Sequence, residues 1–397
     1  MIVQHEVNLS PQKNKHFFII AGEPSGDLLG AKLIAEIRSR LGSSALFAGI
    51  GGEMMEKEGM DSLYPLSHIS IMGPLKILSK LPRFINYINQ TSKFAQHWGS
   101  DIVIIIDSPD FTHAIAKKIR KKRPSIPIIN YVSPSVWAWR SGRAKRMTKY
   151  IDHVLALLPF EPEVHRQLGG PQCTYIGHAL CEKIEWISNL DPLSLKSRLE
   201  IPEHHPVLIL LPGSRHSELS RFLYPLEKTA EIIYQMLNKQ ITFILPTIPP
   251  LRDAINEKLK KWIVPVHIVE SEEDKFKAFR LASAALAASG TVTLELALSG
   301  TPSVVFYTVD WVASLFRFML KAPSIVLANI IAGEIIYPEF IQEKATPQNM
   351  AQALIPLLSD TKERRLQKEK LLKIHEIMDT GSVAPSSLAA DIVLKYI

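Results

Sequence analysis

FFIIAGEPSGDLLGAKL, residues 17–33, passes from an unbroken apolar run into a glycine-punctuated segment and then into a helical pattern. Apolar residues in a row, bounded by a turn signal, read as a strand buried on both faces. The corner that follows such a strand is where an α/β sheet meets its ligands. A phosphate loop would carry Lys there; this corner carries Glu23 and Asp27. Carboxylates repel phosphate but orient or deprotonate hydroxyls, so Gly22, Glu23, Ser25, Gly26 and Asp27 read as a corner facing a polyol. The glycines supply tight turning and close approach.

Further along, the same plan recurs as DIVIIID (101–107), IPIINYV (126–132) and HVLALLPF (153–160), then PVLILLP (206–212), ITFILP (241–246), VPVHIV (264–269), AALAA (284–288) and PSVVFYTV (302–309). Strands that are apolar throughout and alternate with helices predict an α/β fold with parallel sheets covered on both faces. At 397 residues the chain is too long for one ordinary core. WISNLDPLSLKSRLEIPEHHP (186–206) interrupts the strand pattern and sets the predicted boundary, giving domains 1–200 and 201–379. Two doubly wound sheets in tandem predict ligand sites at the carboxyl ends of the strands and an active site in a cleft between the halves. The last segment, SSLAADIVLKYI, reads as an amphipathic helix.

The formal charge of +7 favours an anionic partner but is spread thinly, leaving nucleic acid, anionic lipid and phosphorylated metabolites open. Cys173 and Cys181 are the only cysteines and have no zinc-type spacing, which argues against a disulfide framework or structural metal and for a reducing cytoplasm. The first residues lack an export-signal pattern, and the apolar windows are broken before the ~20 residues a membrane span needs.

Corners in the second half differ in chemistry from those in the first. VLILLPGSRHSEL (207–219) is a strand, a Pro-Gly-Ser turn and a helix start, presenting Gly213, Ser214 and Arg215 to an anion. A guanidinium beside a helix N-terminus suits a diphosphate. ALAASGTVTLELAL (285–298) repeats the plan with Ser289, Gly290 and Thr291, and Glu295 lies one helical turn inward, where it can accept from two ribose hydroxyls. Serving only the helix dipole is the other reading of Glu295. In the first half a second acidic corner, Asp107, Ser108, Pro109 and Asp110, follows IVIII. Helix capping is the alternative role for Asp27 and for Asp110.

YVSPSVWAWRSGRAKRMTKY (131–150) sets Trp137 and Trp139 among Arg140, Arg143, Lys145, Arg146 and Lys149. Without an RNA-binding motif this cluster is read as packing and not as a nucleic-acid site. ISIMGPLKILSKLPRFINYI (69–88) places Lys76, Lys80 and Arg83 opposite Met72, Leu75, Leu78, Ile85 and Ile88, a pattern that fits a membrane interface or a core-packed helix bent at Pro82.

AGEPSGDLLGA, MGPLKIL, IDSPDF, YVSPSVWAWR, LPFEPEVH, YIGHAL, LPGSRHSEL and ASGTVTLELAL, in this order, together resemble lipid-A-disaccharide synthase. The resemblance implies an inverting GT-B glycosyltransferase with two Rossmann-like domains facing across a cleft. It implies transfer of 2,3-diacylglucosamine from UDP-2,3-diacylglucosamine to 2,3-diacylglucosamine 1-phosphate, in the cytoplasm at the inner membrane surface; a homodimer is compatible with it. It also implies that residues 380–397 cross back onto the first domain. The family's essential aspartate falls on Asp107 and its LPGSR arginine on Arg215, and its asparagine falls on Asn329; these last two, with Ser289, Gly290, Thr291 and Glu295, are expected around UDP. Asp110 and His178 are rival bases. Ala328, Lys76 and Thr112 depart from the family pattern, which has Pro, Glu and Asn there. Neither cofactor nor metal is expected, because Arg215 and two helix N-termini can absorb the leaving charge. A non-catalytic nucleotide-sugar sensor and a UDP-sugar epimerase are the alternatives.

Overall fold

A computed structural model of the chain describes residues 14–69, 74–308, 323–381 and 383–397, with only the backbone of residues 74–81. The chain forms two compact units, one made of Met1–Ala179 with Thr380–Ile397 and the other of Leu180–Asp379.

In the first unit, strands β1 (Lys15–Ala21), β2 (Ala45–Ile50), β3 (Asp61–Ser62), β4 (Ile102–Ile106), β5 (Ile128–Tyr131), β6 (His153–Ala156) and β7 (Gln172–Tyr175) form one sheet in the order β3-β2-β1-β4-β5-β6-β7. Every pairing is parallel. Helices α1 (Pro24–Leu41), α2 (Glu53–Lys57), α3 (Pro74–His97), α4 (Pro109–Lys122), α5 (Gly142–Met147) and α6 (Glu161–Gln167) fill the connections. The strands are apolar throughout because both faces are covered. Phe17, Ile19 and Ala21 join Ile102, Ile104 and Ile106 under α1 and the C-terminal helix Pro385–Leu394. Phe18 and Ile20 join Val103 and Ile105 against Phe111 and Ile115 of α4. Each such fully buried Phe, Ile or Val side chain contributes roughly 1.5–3 kcal/mol. The C-terminal helix is tied down through Arg40, whose guanidinium reaches Asp391 at 2.5 Å and the Ser387 hydroxyl at 2.6 Å.

α3 runs through Pro82 as one helix. Met72 lies outside the described residues, and so do the side chains of Lys76, Lys80, Leu75 and Leu78. Of the apolar stripe predicted at 69–88, Ile88 is buried in the core whereas Ile85 is 48% exposed.

The second unit contains β8 (Val207–Leu211), β9 (Thr242–Pro246), β10 (Val266–Val269), β11 (Ala284–Ala288), β12 (Ser303–Tyr307) and β13 (Glu339–Ile341), in the order β10-β9-β8-β11-β12-β13. These strands are also parallel. Its helices include α7 (Ile184–Asn189), α8 (Pro192–Arg198), α9 (His216–Met236), α10 (Arg252–Leu259), α11 (Glu272–Leu281) and α12 (Val292–Leu298). Leu208, Leu210, Phe243 and Leu286 pack against Phe222, Leu226 and Ile233 of α9. Residues 180–200, placed in the first domain by the sequence break, belong here. The Arg280 guanidinium of α11 donates to the Ile187 and Leu190 carbonyls, and Arg198 pairs with Asp274 at 2.6 Å.

Strand order reverses between β1 and β4 in one sheet and between β8 and β11 in the other. The corners after these four strands are therefore the topological switch points, where doubly wound sheets bind ligands.

Candidate active site

At the switch point of the first unit, the corners after β1 and β4 touch. A Cβ on Gly22 would lie 2.2 Å from the Ser108 Cβ, so only glycine permits this approach. The Ser108 hydroxyl donates to Glu23 at 3.4 Å. Asp107 and Ser108 are both left-handed, with φ of 55° and 42°, an arrangement that costs a non-glycine residue roughly 1–2 kcal/mol. Such strain gathers at ligand sites. The Asp107 carboxylate accepts from the Ser108 amide at 2.7 Å, and the Thr112 hydroxyl donates to the Asp107 carbonyl at 2.7 Å. Asp107 is thus a half-buried carboxylate fixed on a rigid corner beside Glu23.

Other residues expected here are placed differently. Asp27 is 5% exposed and points inward, where its carboxylate accepts from the Gly52, Met54 and Met55 amides at 2.8, 3.1 and 3.1 Å. It caps α2 and is unavailable to a sugar. Gly26 faces the sheet, its Cβ position 3.3 Å from Ala21 and Ile106, so it serves helix-to-strand packing. Ser25 is exposed at the start of α1. Asp110 is exposed, and Arg143 and Arg140 converge on its Oδ1 at 2.8 and 3.6 Å. His178 follows β7, three strands from β4, or about 14 Å at ordinary strand spacing. Burial holds its imidazole down at about 4, so it is neutral near pH 7.

The loop after β5 borders this corner and meets α6 in a buried cluster that sequence reading passed over. Residues 132–141 run between two left-handed residues, Val132 (φ 74°) and Arg140 (φ 50°). Glu161, 3% exposed, accepts from the Leu158 amide at 3.0 Å and from the Trp137 indole at 3.4 Å. Burial pushes its carboxyl up to about 7 against these hydrogen bonds. His165, fully buried, is 3.0 Å from the Ser133 hydroxyl and is held by burial at about 4. The signal was the LPFEPEVH motif itself, since Glu and His are rarely buried without a partner.

In the second unit a cavity of ≈ 370 Å³ opens at the switch point, lined by Gly213, Ser214, Arg215, Glu218, Lys275, Ser289, Gly290, Thr291, Glu295 and Tyr307, among others. It gathers every expected donor residue except Asn329. Gly213 has φ 95°, which favours glycine, and Gly290 has open space at its Cβ position. The Ser289 hydroxyl donates to the Ile325 carbonyl at 2.6 Å. Two residues that the sequence did not single out set the charge. Glu218 accepts from the Ser214 and Arg215 amides at 2.9 and 3.2 Å and pairs with the Arg215 guanidinium at 3.2 Å. Lys275 reaches both oxygens of Glu295 at 2.9 and 3.0 Å. A carboxylate thus occupies the anion cradle of the turn, and an ammonium fixes the acid one turn away.

The family model described as lipid-A-disaccharide synthetase matches residues 17–393. The chain belongs to this family. A lipid-A-disaccharide synthase of Bradyrhizobium diazoefficiens is 45% identical over 381 residues, covering 96% of each chain. One from Paramagnetospirillum magneticum is 36% identical over 383 residues, covering 96% of this chain and 97% of that one. Among solved structures, the glycotransferase of kitacinnamycin aligns with a TM-score of 0.63 at 14% identity, covering 97% of this chain and 99% of that one. The UDP-GlcNAc 2-epimerase of Neisseria meningitidis gives 0.61 at 15%, covering 96% and 100%. MurG of Acinetobacter baumannii gives 0.55 at 13%, covering 96% and 99%. These three show the fold, GT-B with two α/β units, and membership of the synthase family makes the protein a glycosyltransferase of lipid A biosynthesis.

Family resemblance expects Asn329 at the UDP; in the structure it is not among the residues that line the cavity. It is 2% exposed, its amide nitrogen donates to Tyr337 and Glu339 at 2.9 and 2.7 Å, and its oxygen accepts from the Ile336 and Tyr337 amides, both at 2.9 Å. All four hydrogen-bonding positions are filled, so Asn329 braces the turn before β13. Among the described residues no group of three or more His, Cys, Asp and Glu could hold a metal, and no helix is long and apolar enough to cross a membrane.

Proposed function

We propose that the protein joins UDP-2,3-diacylglucosamine to 2,3-diacylglucosamine 1-phosphate, with inversion, to give UDP and the β-1,6-linked disaccharide 1-phosphate of lipid A. The second unit takes the donor. Ser214, Arg215, Ser289, Gly290 and Thr291 surround space suited to a diphosphate at two helix starts, and Glu295 is positioned for the ribose hydroxyls. The first unit takes the acceptor at Glu23, Ser25 and Asp107. Oxygen O6 of the acceptor attacks C1 of the donor sugar while the bond from C1 to the diphosphate oxygen breaks. The proton of O6 passes to Asp107, and the electron pair leaves with UDP beside Arg215. The acyl chains place the protein at the cytoplasmic face of the inner membrane, held peripherally, with the exposed Ile85 and Arg83 of α3 on the lipid side.

The observation that supports this reading most is the carboxylate of Asp107, held on a strained corner at the switch point with Glu23 beside it. The test is incubation of the purified protein with both substrates, followed by detection of disaccharide and UDP. Asp107→Asn is expected to fold and to lose roughly 10²- to 10⁴-fold in turnover. Near-normal turnover overturns the role of Asp107. UDP-sugar isomerised without acceptor, or bound without turnover, overturns the reaction.

A further inference from the structure

The cluster around Trp139 was read from sequence as packing, yet Trp139 is 37% exposed. The Arg140 guanidinium lies over its ring at 4.2 Å and the Arg143 guanidinium at 6.0 Å. Both arginines are aimed at a single atom, the Oδ1 of Asp110, at 3.6 and 2.8 Å. The geometry points to a phosphate-monoester subsite formed by Arg140 and Arg143 against Trp139, which receives the anomeric phosphate of the acceptor.

Burial, charge and position together carry this. Arg143 is only 13% exposed and is therefore fixed, whereas the carboxylate it holds is 77% exposed and rests on the arginines from the solvent side. Two guanidinium charges face one carboxylate charge, leaving a surplus that a phosphate dianion matches better. An exposed ion pair contributes little to stability, so the Asp110 side chain can yield its place at small cost. Finally, Asp110 lies three residues beyond Asp107, at most about 11 Å of chain. In a hexose C1 and C5 flank the same ring oxygen, so an acceptor with O6 at Asp107 keeps its anomeric phosphate within this reach. The Arg140 backbone, left-handed at φ 50°, turns its side chain onto the tryptophan instead of letting it run on with α5.

The inference rests on the proposed reaction and deepens it, and its test separates the two. Transfer is measured with the full-length protein in neutral-detergent micelles, using 2,3-diacylglucosamine 1-phosphate and the same acceptor without its phosphate. Disaccharide formation by the unmodified protein bears on the reaction alone; the ratio of the two acceptors bears on the subsite. Arg140→Met and Arg143→Met are each expected to raise KM for the phosphorylated acceptor at least about tenfold and to leave the unphosphorylated one nearly unchanged. Arg143→Lys restores part of the ratio. Asp110→Asn, which removes the competing carboxylate, is expected to lower KM for the phosphorylated acceptor more than for the unphosphorylated one. Arg140, the more exposed of the two, keeps the test open where Arg143→Met does not fold. An equal loss for both acceptors, or an unchanged ratio, overturns the subsite. The variants are also spun down with vesicles of phosphatidylcholine, with and without phosphatidylglycerol. Loss of binding to the anionic vesicles with an unchanged acceptor ratio assigns the arginines to the membrane surface and overturns the proposal as well.

Discussion

The Glu218 carboxylate accepts from the Ser214 amide at 2.9 Å, inside the turn that a helix N-terminus would offer to a diphosphate. A Cβ on Gly213 would meet that carboxylate at 2.3 Å, so the glycine exists as much for Glu218 as for a ligand. The turn is therefore prefolded around an internal anion, with Arg215 drawn toward the same carboxylate at 3.2 Å. For UDP to take the cradle, Glu218 has to swing out or share it.

Replacement of Glu218 by Gln keeps an oxygen that can accept from the Ser214 amide and removes the charge that opposes phosphate. Glu218→Gln is expected to bind UDP about tenfold more tightly, corresponding to ~1.4 kcal/mol, measured by titration calorimetry. Weaker binding by the variant would mean that Glu218 builds the cradle without competing for it.

In the proposed reaction, charge on the departing diphosphate is met by Arg215 and the starts of α9 and α12. Both carboxylates lining the cavity, Glu218 and Glu295, are already engaged, by Arg215 and by Lys275. Neither is arranged as one of a chelating pair. Transfer activity is therefore expected to stay within about twofold when EDTA is added. Complete loss, restored by a divalent ion, would show that the arginine and helix termini do not suffice.

How far the sequence reached depended on whether a residue's partners were local. Apolar runs identified nine strands correctly because a strand covered on both faces needs no partner to be recognised. Strands β2, β3, β7 and β13 escaped: β3 and β13 are only two and three residues long, β7 is polar at Gln172 and Thr174, and β2 is interrupted by Gly49. The position of Asp107, Arg215 and Ser289 at strand-to-helix corners was legible because helix starts after strands are local features. Asp27 was read as facing a polyol or capping a helix, since composition cannot show which way a side chain turns; it turned inward to amides distant in sequence. Gly26 faces the sheet, and Asn329, expected at the UDP from resemblance alone, is held by a backbone folded back on it. Lys275, twenty residues from Glu295, had no local signal at all. Glu218 had one, the three-residue spacing from Arg215 that marks a helix cap.

Glu161 provides a test that involves no substrate. Its carboxyl titrates at about 7 in the folded chain, against 4.5 when exposed, because burial outweighs the hydrogen bonds from Leu158 and Trp137. The folded state then binds the proton more firmly than the unfolded state over that interval. Its contribution to stability accordingly falls as pH rises from about 4.5 to about 7 and stays low above. Between pH 5.5 and 8 the loss amounts to about 2 kcal/mol. His113 and His165 act in the opposite direction. Burial holds both at about 4, so the unfolded chain takes up protons first and stability falls as pH drops from 6.5 toward 4. These histidines are common to the parent and to Glu161→Gln, so they cancel in the comparison. Gln keeps an acceptor for the Trp137 indole but cannot accept from the Leu158 amide with its nitrogen, and the variant is expected to be less stable at pH 5.5. That deficit should shrink by about 2 kcal/mol at pH 8, as read from urea unfolding at the two pH values. Parallel pH profiles for the two proteins would mean that Glu161 is ionised in the folded chain throughout, with its hydrogen bonds outweighing its burial.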